Sequence, residues 1–198
     1  MKFRVLNEYA AMAYKEELSH IIISICSPHA KPIRLPENKN RKGYLFLNFH
    51  DLDHLPEADK ICMGVGKPYQ LFTDFQASLI WSFVDEHLVT PEIDMIICNC
   101  EAGISRSAGV IAGIKAGLGL DESDIFDQYL PNSLVYRKLL EARQGKMLFQ
   151  VDGKNVNMNE HVPARFHKVV RVPGKLVNFV TRKRIKRNES DQSTKEVL

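Results

Sequence analysis

The residues best placed to do chemistry lie together at Cys100-Glu101-Ala102-Gly103-Ile104-Ser105-Arg106-Ser107. A cysteine followed six positions later by an arginine means little by itself. What gives it weight is the setting: an apolar strand ahead of the cysteine, a glycine inside the loop, a hydroxyl after the arginine and a helix beginning there. A strand-to-helix loop at the carboxyl end of a sheet turns successive backbone N–H groups into one concavity. The helix start adds the positive end of its dipole, so an anion such as phosphate suits the bowl. Gly103 lets the chain bend tightly and approach closely. Arg106 can grip two phosphate oxygens through its planar fork, which lysine cannot. A thiol at the base of such a bowl is expected to ionise more readily than usual, and a thiolate under a phosphoryl group is a nucleophile.

These residues need elements to position them. Residues 20–27 form a β-branched apolar run that ends at Ser27-Pro28 and suits a buried strand, and residues 44–49 form a second. Residues 28–43 and 55–70 are rich in proline and glycine and read as irregular. Helical spacing starts at Thr73 and runs to about His87. Residues 94–98 give a short buried strand, and residues 107–118 a helix rich in small residues, closed by Gly119. Residues 121–129 and 133–142 give two more helices, split by Pro131-Asn132. Residues 2–15 show no clear period. This order predicts an α/β fold with a central, partly parallel sheet flanked by helices.

Beyond Gln144, residues 147–158 centre on Asp152-Gly153 and read as a hairpin, and residues 169–180 around Pro173-Gly174 read as another. Three regions are expected: a catalytic domain over 1–145, a β-rich extension over 146–180 and a disordered basic tail over 181–198. Residues 163–198 hold 10 Lys and Arg against 3 Asp and Glu, while the other 162 residues hold 17 against 21. A mildly acidic body thus carries a basic end, and Arg182 to Arg187 could meet an acidic partner or nucleic acid. No apolar run approaches the roughly 18 residues needed to span a bilayer. Glu8, Glu16 and Glu17 interrupt any leader. Four irregularly spaced cysteines favour free thiols, and a cytoplasmic location is expected.

The loop resembles the signature of the cysteine-based protein tyrosine phosphatases, in particular the compact dual-specificity branch. The resemblance extends over residues 20–143. It takes in a strand ending at Phe49-His50-Asp51, a helix with Phe72 and Phe75 near its start, and Pro131-Asn132-Ser133 opening the helix that closes the domain. It implies Cys100 as nucleophile and Arg106 with the amides of Glu101 to Arg106 as the oxyanion grip. Ser107 would then assist the departing sulfur and Asp51 act as general acid, without metal or cofactor. The family's residue before the cysteine is histidine; here it is Asn99. Asp53 is the competing acid, and Asp59 and Asp74 are more distant choices. Cys98 shares a face with Cys100, as a redox partner or as core. His50, Asp51, Asp53 and His54 could suit a divalent metal, but a catalytic loop is the preferred reading.

The expected function is hydrolysis of phosphate monoesters on proteins, phosphotyrosine first and phosphoserine or phosphothreonine next, through a phosphocysteine. The alternatives are an RNA 5′-phosphatase on the same scaffold and a non-catalytic phosphopeptide-binding module. Glu101 in place of a lysine argues against polyanionic lipid head groups.

Overall fold

The fold is that of a computed structural model, which describes residues 1–54, 61–62, 66–89, 93–145, 148–151, 154–157, 170–172 and 175–177. Its centre is a four-stranded sheet of β1 (Lys2–Asn7), β6 (Met95–Cys100), β2 (His20–Cys26) and β3 (Arg41–Asn48), in that spatial order. All neighbours run parallel. β2 and β6 are central and buried along their whole length, which accounts for their continuous apolar sequence. Along β2 the side chains alternate: Ile21, Ile23 and Ile25 enter the main core, while Ile22 faces a smaller cluster with Met95 and Ile97.

The main core lies beneath α2 (Asp74–Leu88), α3 (Arg106–Gly117) and α5 (Ser133–Arg143). Thr73 starts α2 through a capping box: its Oγ1 accepts from the Gln76 amide, and the Gln76 side chain accepts from the Thr73 amide. Gln76 Nε2 then donates to the carbonyl of Asn48, pinning the helix to the end of β3. The small residues of α3 allow close approach to α5, since a Cβ on Gly109 would stand 2.8 Å from the Asn132 carbonyl oxygen. Trp81 Nε1 donates to the Leu139 carbonyl and ties α2 to α5.

Three differences from the sequence reading stand out. Residues 2–15 are an edge strand, β1, followed by a short helix, α1 (Glu8–Ala13), capped by the Asn7 side chain. As an edge strand β1 buries only Val5, so its sequence carries little periodic signal. β6 runs two residues past the expected end, to Cys100 itself, and all four sheet strands are parallel. The region read as irregular holds two short paired strands, β4 (Ile61–Cys62) and β5 (Lys67–Pro68). α4 (Ser123–Gln128) falls within its expected span. Further on, β7 (Leu148–Val151) pairs antiparallel with β8 (Lys154–Asn157), and β9 (Val170–Val172) with β10 (Lys175–Val177). Asp152-Gly153, Pro173-Gly174, Asp59 and the basic stretch Arg182 to Arg187 lie outside the described residues.

Candidate active site

The chain runs from β2 to β3 on one side and returns through α2 to β6 on the other. The order reverses between β2 and β6, and a crevice at the carboxyl ends of such strands is where α/β sheets place ligands. Ser27, just past β2, and Glu101, just past the end of β6 at Cys100, meet there.

Cys100 is buried, with 1% of its surface exposed. The Gly103 amide donates to its Sγ at 3.2 Å, and Ser107 Oγ lies 3.1 Å away. The loop folds back over its own sulfur. Gly103 has φ of 69°, in the left-handed region, and a Cβ there would lie 2.5 Å from the Asn7 amide nitrogen. The close approach that demands glycine is to the junction of β1 and α1. The Glu8 amide donates to the Glu101 carbonyl and adds to the same seam.

Ser105 precedes α3, but its hydroxyl does not cap the helix. It donates instead to Asp51 Oδ1 at 2.6 Å. The amides at the start of α3 thus have no side-chain cap and are suited to an anion. Arg106 is held from several sides. One terminal nitrogen donates to the Phe49 carbonyl at 3.0 Å and to Ser27 Oγ at 3.3 Å, and the other to Glu101 Oε2 at 2.5 Å. Its Nε is buried with no hydrogen-bond partner among the described residues, 3.8 Å from Asp51 Oδ2.

Asp51 also accepts from Asn132 Nδ2 at 3.0 Å, so the residue that caps α5 holds the carboxylate at the rim of the loop. Asp53 accepts from Ser133 Oγ instead. Asp74 begins α2 and pairs with Lys138. The structure thus brings Cys100, Arg106, Ser107 and Asp51 together and leaves Asp53 and Asp74 on other partners. Ser27 and Asn132 were not read from the sequence as site residues, because their contacts span 74 to 81 positions. Pro131-Asn132 opens α5, and that sequence signal points to Asn132.

Burial pushes the Glu101 carboxyl up, but Arg106 and the amide and hydroxyl of Ser27 outweigh it and hold it below the ordinary carboxylate value. Burial lowers His50, whose Nδ1 accepts from the Gln70 amide. Burial drives the Cys98 thiol well above its ordinary value, which fits packing rather than redox chemistry with Cys100. Asn99 is buried, and its Oδ1 has no hydrogen-bond partner among the described residues. Among the described residues no group of three His, Cys, Asp or Glu side chains could hold a metal ion, and no helix is long and apolar enough to cross a membrane.

Fold and loop together define an α/β protein with a Cys-to-Arg turn at the carboxyl end of a central strand. Solved structures similar to it include two that follow. One is the human tyrosine phosphatase-like serine/threonine/tyrosine-interacting protein, at 20% identity and a TM-score of 0.46, covering 71% of this chain and 89% of that one. The other is DUSP15, at 19% identity and a TM-score of 0.40, covering 66% and 72%. No protein-family model matches the chain, and no curated protein matches it.

Proposed function

We propose that the protein hydrolyses phosphate monoesters, phosphotyrosine on proteins first among them, through a phosphocysteine on Cys100. The observation that carries this reading is the pairing of a sulfur that already accepts an amide hydrogen bond with a buried Arg106 N–H that has no acceptor among the described residues. A buried donor without a partner costs about 1–3 kcal/mol, and an oxyanion in the bowl would supply the acceptor.

In this reading the Cys100 thiolate attacks phosphorus, forming a P–S bond as the P–O ester bond breaks. The departing oxygen takes its proton from Asp51. Arg106 and the loop amides hold the transferring oxygens. Water then attacks phosphorus, Asp51 takes its proton, the P–S bond breaks, and Ser107 donates a hydrogen bond to the leaving sulfur.

One observation favours a second reading, a non-catalytic phosphopeptide-binding module. The buried Asn99 stands where the resembled family has histidine, and its Oδ1 orients nothing among the described residues. Nothing among the described residues favours an RNA 5′ end. The test is turnover of a generic aryl phosphate by wild type and Cys100→Ser. Wild-type turnover, inhibited by vanadate and falling to background in the variant, supports catalysis. Wild-type turnover at background with retained phosphopeptide binding selects the module.

A further inference from the structure

Glu101 is the residue of the loop whose side chain has a conspicuous job of its own. Its carboxylate accepts from the Ser27 amide at 3.1 Å, from Ser27 Oγ at 3.0 Å and from Arg106 at 2.5 Å. It therefore occupies part of the guanidinium fork that a phosphate group would use in a two-pronged grip. The other terminal nitrogen is engaged by Phe49 and Ser27, which leaves Nε as the guanidinium nitrogen without a hydrogen-bond partner among the described residues.

The charges facing Arg106 sharpen the point. From its own loop comes Glu101, and from the turn after β3 comes Asp51, whose Oδ2 stands 3.8 Å from Nε. Burial holds the pKa of His50, from that same turn, below its ordinary value, and its ring lies 5.6 Å from that of His29. α5 contributes the neutral Asn132. One cation thus faces two carboxylates. Any positive character in the bowl must come from backbone amides and the start of α3.

Resting on the reading of this loop as an oxyanion site, we propose that Glu101 is a specificity-determining residue, an internal counter-anion that keeps the affinity for oxyanions low. It does so most strongly for ligands carrying more than one phosphate. An incoming phosphoryl group must share Arg106 with Glu101 and meets its negative charge at close range. Weak binding of the ground state and of free phosphate follows, and it leaves more of the interaction energy for the transition state.

The test is titration calorimetry of the full chain in a Cys100→Ser background, with tungstate as a phosphate-shaped dianion and pyrophosphate as a more highly charged probe. Glu101→Gln should tighten tungstate binding by about tenfold, the scale expected for removing a charge close to a partly solvated ligand. Pyrophosphate should gain more. Unchanged or weaker tungstate binding would overturn the proposal and make Glu101 a residue that positions Arg106. If Glu101→Gln does not fold, Glu101→Asp, which draws the carboxylate back by one methylene, decides by the same sign. Because binding is read without turnover, the outcomes separate. Tighter binding with an inactive wild type rejects catalysis and keeps this inference, while turnover without tighter binding does the reverse.

Discussion

The two loops that meet over Arg106 are built in opposite ways. The loop after β6 is fixed largely by backbone: a left-handed Gly103, an amide on the Cys100 sulfur, and a seam against Leu6 and Asn7 with no room for a Cβ. The turn after β3 leans on side chains: Asp51 is held by Ser105 and Asn132, and Asp53 by Ser133. Backbone fixing is intolerant, because a substitution there displaces the chain itself. Side-chain fixing is graded, because each hydrogen bond can be lost alone. In the proposed function the nucleophile sits on the intolerant loop and the proton donor on the graded one.

That contrast can be broken most sharply at Gly103. Gly103→Ala should lower stability by about 1–3 kcal/mol, the scale of a strained left-handed residue, before the contact with Asn7 is added. Turnover should fall by about 100-fold or more, as for a misplacement of about 1 Å at a reacting group. Thermal melting and kinetics check both; a stable variant with full activity would show that the seam is slack. Next in size, Asp51→Asn should slow turnover of phosphotyrosine by at least about 30-fold, within the range of a general acid. Asp53→Asn should lose much less. A reversed ranking in steady-state rates would place the acid at Asp53. The smallest effect is expected at Asn132→Ala. It should cost about 1 kcal/mol through the lost cap on α5, with a several-fold loss of turnover as Asp51 loosens. Denaturant titration beside kinetics separates the two; a stability loss with unchanged turnover would show that Ser105 alone suffices to hold Asp51.

The same contrast explains what the sequence made legible. β2, β6 and α3 are buried on all sides, so their residue types announce them, and the loop between β6 and α3 has its spacing in consecutive residues. β1 was missed because an edge strand with one buried side chain has no period to read. Asp51 was preferred over Asp53 through resemblance alone, since a turn does not fix which carboxylate points inward. The structure puts Asp51 against Ser105 and Asp53 against Ser133, across 54 and 80 positions of sequence. The charge of Glu101 is legible in the sequence as a sign against polyanionic head groups, but its hold on Ser27 and Arg106 needs β2 and β6 to be seen side by side.

The seam under Gly103 has a consequence for the birth of the chain. Among the described residues β1 has β6 as its only strand partner, with Lys2 registered on Met95. A ribosome adding about 5–20 residues per second leaves β1 waiting on the order of 5–20 seconds for its neighbour to emerge. Closing so long a loop comes at an entropic cost that local contacts do not bear. β2 and β3, near in sequence, can pair well before that. The floor beneath the Cys100 loop is thus made well ahead of the strand that holds it, and must wait to find its place.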